Sequence, residues 1–343
     1  MIPSDPAGPG PSSTPTPDDG SPVPPARPGL GTFTIEGRQA PALFVIGWLA
    51  SLAGVATVVI ALLSGGGGAA PLLLLGGLIV LSVGLVAGAG SQSIERRARG
   101  GRAYPGPSPL LVFAASIPVS LVAVILLGIP LDLIGFDVEG PAGRLASVAI
   151  QALIYVGLIR LLVVDAGALT WRAMGIHRPD RRTLGEIVSG AAWAIPVIIV
   201  TVPIAAILSL IFPVTPVSPL PPAGETGGFI LNLLAGAIVA PIGEEIMFRG
   251  FATTAWAADQ GPRRALIRGA IFFALVHVLT ISGDSAGEAL GLAVIGFVSR
   301  IPVALALGWL FLRSRSIWVP IGLHATFNGI LLILGELALR NAL

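Results

Sequence analysis

The sequence lacks cysteine and lysine, and it carries little charge of either sign. Without cysteine in its 343 residues, the chain has no disulfide, thiolate metal site or cysteine nucleophile. All 20 basic residues are arginine, which also excludes Schiff-base chemistry and a phosphate-loop lysine. Charged residues make up 11% of the chain, against about 25% in a soluble domain. The arginines cluster between apolar runs, a pattern that serves membrane topology, so we predict no nucleic-acid partner.

Long apolar runs dominate what is present. Hydrophobic residues form 54% of the sequence, and its mean hydropathy is +0.89. Several runs reach about 20 residues, the length that crosses a bilayer as a helix. We therefore predict an all-α fold, a polytopic helical bundle of about 8–9 transmembrane helices in contact with the lipid bilayer. The predicted spans are 42–63, 70–90, 109–131, 145–165, 187–212, 229–250, 266–282, 289–312 and 317–338.

The chain divides into a tail and two groups of helices. Residues 1–32 are rich in Pro, Ser, Gly and Thr, which predicts a disordered cytoplasmic tail. Residues 40–215 form the N-terminal transmembrane helices, and 220–340 form a core that holds most of the polar residues inside spans. Pro196 and Pro203 predict a kink in the span 187–212.

The placement of arginine predicts how the chain sits in a membrane. Arginines gather after the second, fourth, sixth and eighth predicted spans, while the intervening loops are acidic and hold only Arg144. Basic loops stay in the cytoplasm. We therefore expect a multi-pass protein of the cell membrane with a cytoplasmic N-terminus. Nine spans would leave the C-terminus outside.

Three ionisable residues lie close together in the span 229–250: Glu244, Glu245 and Arg249. Each costs roughly 2.5–3.5 kcal/mol inside a membrane helix, so such residues usually mark function. The i,i+4 spacing of Glu245 and Arg249 predicts an ion pair. Glu244 points about 100° away and has no partner in its own helix, which suits a general base. The alternative is a salt bridge that only packs helices.

Three more polar residues lie in the last spans: His277, His324 and Asn328. His324 and Asn328 are four residues apart and share a helix face. Each residue taken alone is typical of helix packing. At about 1.5 Å rise per residue, however, Glu244 and His324 lie roughly 10 Å, and His277 roughly 14 Å, from the cytoplasmic ends of their predicted spans. This shared depth predicts one site, facing the cytoplasmic half of the membrane.

A carboxylate, two imidazoles and an amide at one depth suit the activation of water. Glu244 would remove a proton from water, while His277 and His324 would hold that water or bind a divalent metal. Asn328 would donate a hydrogen bond to an oxyanion. We therefore predict hydrolysis of a peptide bond in a protein or peptide substrate. The alternatives are a catalytically inactive membrane scaffold or immunity protein, and a proton-coupled transporter that uses Glu244 and His277.

Other patterns are weaker. No His-Glu-x-x-His helix is present. Gly283-Asp-Ser-Ala-Gly287 matches a nucleophile elbow in sequence, but it lies in a short loop without the strand that such an elbow requires. Arg160 and Arg300 are further charges inside spans, and we expect each to neutralise a carboxylate or to line a polar cavity.

The three motifs together resemble the signature of the CPBP family, the CAAX-prenyl-protease and bacteriocin-processing intramembrane endopeptidases. They are Glu244-Glu245-x-x-x-Arg249, Phe273-x-x-x-His277 and His324-x-x-x-Asn328, within 220–340. The resemblance implies a helical membrane protease with Glu244 as the base, Glu245 and Arg249 as its support, and His277, His324 and Asn328 completing the site. It leaves open a metal such as zinc at the two histidines, or none. The Ala-, Gly- and Pro-rich composition, with arginine as the only basic residue besides histidine, indicates a bacterial source.

Overall fold

The computed structural model describes residue 35 and residues 37–214, 220–279 and 281–342. The predicted tail at 1–32 lies outside this range. The described residues form nine helices and no strand, which confirms the predicted all-α class. In chain order the helices are α1 (Pro41–Leu63), α2 (Ala70–Arg99), α3 (Pro109–Leu133), α4 (Pro141–Val164), α5 (Arg181–Ile211), α6 (Thr226–Gln260), α7 (Pro262–Val276), α8 (Ala286–Ser314) and α9 (Trp318–Ala342).

Every helix except α7 is long and apolar enough to cross a membrane, by length and composition. The described part of the chain therefore has eight candidate spans, and a multi-pass membrane protein is confirmed. The side of the membrane on which each terminus lies stays a prediction.

Helix α7 is shorter than the predicted span 266–282. It has 15 residues and ends at Val276, just before His277. The Nδ1 atom of His277 lies 2.7 Å from the carbonyl oxygen of Phe273, one of the last carbonyls of the helix. A side chain that donates to one of the last carbonyl oxygens takes the place of the next backbone N–H, and the helix ends there. The histidine thus ends α7, where the apolar sequence indicated a further turn.

Helix α6 is longer than predicted. The predicted span 229–250 ended at Gly250, and that boundary is wrong. The helix continues to Gln260, and the Arg249 side chain is only 2% exposed. Glu244 therefore lies near the middle of α6, farther from its end than the predicted 10 Å.

Helix α5 is interrupted as its prolines predict. It consists of the segments Arg181–Ala191 and Ala194–Ile211. Pro196 lacks the N–H that would bond to the carbonyl of Ala192, four residues earlier, and its ring clashes with that carbonyl. The break falls at that position. Pro203 is accommodated inside the second segment.

Two glycines bring α5 and α9 into backbone contact. A Cβ atom on Gly190 would collide with the carbonyl oxygen of Val319, and one on Gly322 would collide with the carbonyl oxygen of Ile187. Small residues at such crossings let membrane helices pack closely. The start of α9, which carries His324, is therefore fixed against α5.

Candidate active site

The middle of α6 carries the acidic pair between two π-helical stretches. The stretches are Leu234–Val239 and Ile246–Thr253, and the α-helical segment between them ends with Glu244 and Glu245. π-Helical turns are rare and are frequently found at functional sites. A Cβ atom on Gly243 would lie 2.7 Å from that of Ala152, so this glycine lets α6 approach α4 at the level of the carboxylates.

Glu245 is fully buried and holds two neighbours with one oxygen. Its Oε1 atom lies 2.9 Å from Nη1 of Arg249 and 2.7 Å from Nδ1 of His324. The ion pair predicted from the i,i+4 spacing is therefore present. The contact with His324, which joins α6 to α9, was not predicted, because sequence spacing says nothing about helices far apart in the chain. Glu245 thus supports the site through His324 as well as through its own helix.

Phe273 of α7 packs against Arg249 and both histidines. The guanidinium carbon of Arg249 lies 4.2 Å from the centre of its ring, a cation–π contact. The ring centres of His277 and His324 lie 4.3 and 5.8 Å from the same ring. Phe273 is buried, so it keeps the arginine and both imidazoles in fixed positions.

Glu244 faces both histidines. Its Oε2 atom lies 3.6 Å from Nε2 of His277 and 3.8 Å from Nε2 of His324, and it has no hydrogen-bond partner among the described residues. The prediction that Glu244 lacks a partner within its own helix therefore agrees with the structure. Its neighbours come from α7 and α9. The three groups that were predicted to share a depth are brought together.

In each imidazole, the hydrogen-bond partner of Nδ1 determines whether Nε2 donates or accepts a hydrogen bond. Nδ1 of His277 contacts the carbonyl oxygen of Phe273, and Nδ1 of His324 contacts a carboxylate oxygen of Glu245. Both partners only accept hydrogen bonds, so each Nδ1 carries the proton. In a neutral imidazole Nε2 is then an acceptor. Two acceptor nitrogens and a carboxylate oxygen therefore converge on one point, and only a hydrogen-bond donor or a cation placed between them satisfies all three.

These groups open into a cavity of about 410 Å³ inside the bundle. Asn328 lines it, and its Nδ2 atom donates to the carbonyl oxygen of Gly236 over 2.9 Å. The amide carries a second N–H, which this contact leaves available. Asn328 is thus held against α6 at Gly236 and lines the same cavity as Glu244.

Several polar residues of the cavity were not predicted as site residues. Gln151 of α4, Thr201 of α5 and Ser299 of α8 line it with the predicted ones. The Oγ1 atom of Thr201 is buried without a hydrogen-bond partner in the described part of the chain. For each of these three residues, the only signal in the sequence was that it is polar and lies within an apolar run. The cavity therefore uses both groups of helices, although the motifs lie in one.

Arg300 and Arg160, the two further charged residues inside predicted spans, have different surroundings. Arg300 lines the cavity, and its Nη1 atom donates to the carbonyl oxygen of Gly296 over 2.8 Å. Arg160 was expected to be buried, but its side chain is 72% exposed and its Nε atom lies 3.6 Å from Asp165. It is the first residue of the π-helical stretch Arg160–Val164 that ends α4. Ser285 of the elbow-like sequence caps α8, accepting a hydrogen bond from the backbone N–H of Glu288.

The metal prediction is untested. Across 35, 37–214, 220–279 and 281–342, no group of three or more His, Cys, Asp or Glu residues is placed to hold a metal ion. The Nε2 atoms of His277 and His324 remain the candidate ligands. Their distances to Glu244 exceed those of a hydrogen bond.

Fold and site together define a polytopic helical membrane protein with a Glu-His-His cluster in an internal cavity. Residues 226–330 match the family model described as type II CAAX prenyl endopeptidase Rce1-like. This match covers α6, α7, α8 and the first half of α9, and it confirms the predicted resemblance to the CPBP membrane proteases. No curated protein and no solved structure matches the chain.

Proposed function

We propose that the chain is an intramembrane endopeptidase that hydrolyses a peptide bond in a membrane-associated protein or peptide, with water activated by Glu244. The observation that carries the proposal is the convergence of Glu244 Oε2 with the Nε2 atoms of His277 and His324 at an internal cavity. A water molecule has two O–H donors, so it suits a point that faces a carboxylate and imidazole acceptors.

The reaction follows from these positions. Glu244 takes a proton from water while an imidazole orients the other O–H. The water oxygen then bonds to the carbonyl carbon of the substrate, and the carbonyl oxygen becomes an oxyanion. The free N–H of Asn328 donates to that oxyanion, a contribution worth about 3–4 kcal/mol in other hydrolases. The C–N bond breaks, and the proton on Glu244 passes to the leaving nitrogen.

The remaining motif residues position this machinery. Glu245 holds the Nδ1 proton of His324, so that its Nε2 lone pair faces the cavity. Arg249 neutralises Glu245, and the ring of Phe273 fixes Arg249 and both imidazoles. Glu245 and Arg249 do not line the cavity, and Phe273 lines it with its ring. We therefore infer that all three are positioning residues.

The matched family model indicates which substrate to test. Its description names a CAAX prenyl endopeptidase. A peptide carrying a prenyl group also partitions into the bilayer, which suits a cavity among apolar helices. We therefore choose a farnesylated peptide ending in a CAAX sequence as the first probe.

The experiment measures cleavage in proteoliposomes. Full-length protein is mixed with a fluorescence-quenched farnesylated CAAX peptide, and the products are identified by mass spectrometry. We expect a single cut with wild-type protein and none with Glu244→Gln. An unfarnesylated peptide of the same sequence shows whether the lipid group is needed.

Two outcomes would contradict the proposal. Equal product with wild-type protein and Glu244→Gln would show that cleavage does not use this site. Uncut probes, together with solute uptake driven by a pH gradient and lost in Glu244→Gln, would identify a transporter. Metal analysis of the same preparations, beside a His277→Ala/His324→Ala variant, tests whether these histidines hold zinc or another divalent ion.

A further inference from the structure

A second cavity lies outside the active site, at the end of the bundle where α1 begins and α2 ends. Its volume is about 620 Å³, and residues of α1, α2 and α3 line it. It contains no residue of the Glu-His-His cluster. We call it the arginine groove, after the four arginines among its lining residues: Arg38, Arg96, Arg99 and Arg102.

The polar end of the arginine groove carries excess positive charge. One carboxylate, Glu95, lines it beside the four arginines, which leaves a net charge of three positive. Glu95 is engaged with Arg38, whose Nη1 atom lies 2.9 and 2.7 Å from its two oxygens. Arg99 reaches the same carboxylate only at 3.6 Å, and its side chain is 70% exposed. One carboxylate therefore serves two guanidinium groups, and the second retains most of its capacity to donate.

The other two arginines are also incompletely neutralised. Nη1 of Arg96 donates to the carbonyl oxygen of Gly106 over 2.7 Å, so its partner is uncharged. Arg102 lies 3.6 Å from Asp259 of α6, and its side chain is 52% exposed. Guanidinium groups bind phosphate through paired N–H donors. A phosphate group is thus the complement of this end of the groove.

The rest of the arginine groove is mainly apolar, with Ser51, Ser91 and Gln92 as its uncharged polar lining. It runs along α2 from Arg96 to Gly84, about 18 Å at the rise of a helix. Gly84 and Gly47 pack so closely against the opposite helix that a Cβ atom on either would collide with its backbone. Trp48 lines the opening and is 58% exposed, on a helix whose outer face is apolar. The groove is therefore open toward the region that acyl chains occupy.

We propose that the arginine groove binds an anionic phospholipid, with the phosphate at Arg96, Arg99 and Arg102 and an acyl chain along Trp48, Leu85 and Leu111. Charge complementarity selects the headgroup, and the apolar lining selects a lipid over a soluble phosphate. Basic pockets between transmembrane helices on the cytoplasmic side are known to take anionic headgroups. The predicted orientation puts this end of α2 on that side.

Native mass spectrometry of the full chain in detergent tests the proposal. The probes are phosphatidylglycerol, phosphatidylcholine with the same acyl chains, and soluble glycerophosphate. We expect phosphatidylglycerol to be retained, phosphatidylcholine to be retained far more weakly, and glycerophosphate to be lost. In Arg99→Gln/Arg102→Gln, affinity for phosphatidylglycerol should fall by about thirty-fold, since two arginines near an anionic headgroup are removed.

Matched variants distinguish lipid binding at the arginine groove from the effects of overall charge and of misfolding. Arg264→Gln removes an exposed arginine outside the groove and should leave the affinity unchanged. Gly88→Leu fills the apolar part, where an added Cβ has only the Cα atom of Gly47 at 4.0 Å, and should also abolish retention. Gly76→Leu places the same side chain on α2 in open space and should not. Equal retention of the two phospholipids, or equal loss in Arg264→Gln and the double variant, would overturn the proposal.

Discussion

The buried ion pair between Glu245 and Arg249 makes a quantitative prediction. Their side chains are 0% and 2% exposed, and the pair lies among apolar helices. Removing one partner of a buried pair leaves an uncompensated charge and costs about 3–5 kcal/mol. We therefore expect Glu245→Gln to lower the free energy of unfolding by about 3 kcal/mol, because Arg249 then loses its paired carboxylate and keeps the ring of Phe273, the distant carbonyl of Ala304 and the charge of Glu244, which it does not contact.

Removing both charges should cost less than the two single changes added together. In Glu245→Gln/Arg249→Met no charge remains, and the methionine fills much of the space of the arginine stem. The two side chains are in direct contact, so we expect a coupling free energy of at least about 2 kcal/mol between the two substitutions. Unfolding by sodium dodecyl sulfate titration, followed by tryptophan fluorescence, measures all three variants against wild type.

The matched control is the exposed pair of Arg160 and Asp165. Their side chains are 72% and 57% exposed at a distance of 3.6 Å. Exposed pairs contribute about 0–1 kcal/mol, so the same cycle with Arg160→Gln and Asp165→Asn should show little coupling. Additive effects at Glu245 and Arg249, within the error of the control cycle, would refute the view that this pair is a single buried unit.

Three further predictions concern other parts of the molecule. Arg300→Gln should raise KM for the peptide substrate with little change in kcat, because Arg300 faces the cavity but is not part of the Glu-His-His cluster; steady-state kinetics with Arg300→Lys as partial rescue test this. Gly322→Val should destabilise the fold by about 2 kcal/mol through collision with Ile187, whereas Gly128→Val, which meets nothing within 4 Å, should be neutral in the same unfolding assay. Asp180 caps α5, and hydrogen bonds from the backbone N–H groups of Arg182 and Thr183 hold the pKa of its carboxyl below the ordinary value. Its stabilising contribution is present above the pKa of the unfolded chain and is lost as the pH falls through the lower folded value. Melting curves should therefore show Asp180→Asn losing less stability than wild type between about pH 6 and pH 3.

The apolar runs predicted most of the fold, because a bilayer dictates both the length and the composition of a helix that crosses it. The predicted helix boundaries were wrong where polar contacts determine the end of a helix. The predicted span ended just after Arg249, yet α6 continues to Gln260, and Glu245 and Phe273 allow Arg249 to be buried. His277 reads as an interior residue, yet its imidazole ends α7. Hydropathy carries no information on which side chain will find a partner in another helix.

The site was predictable where its residues share a helix or a depth. The spacing of Glu245 and Arg249 predicted their ion pair. The prediction that Glu244 would meet both histidines also agrees with the structure, although α6 and α7 end at other residues than the predicted spans from which the depths were counted. The contact of Glu245 with His324 was out of reach, since it depends on how α6 and α9 are rotated about their axes. The same holds for Gln151 and Thr201, which reach the cavity from helices that carry no motif.

The most direct test concerns Glu244 as the base that activates water. Its side chain is 21% exposed and makes no contact with the histidines shorter than 3.6 Å, so Glu244→Gln should leave the melting temperature nearly unchanged. A general base contributes about 10²–10⁴-fold to the rate, and kcat/KM for the farnesylated peptide should fall by that factor in proteoliposomes. A folded Glu244→Gln protein that cleaves within ten-fold of the wild-type rate would contradict the proposed role of this residue.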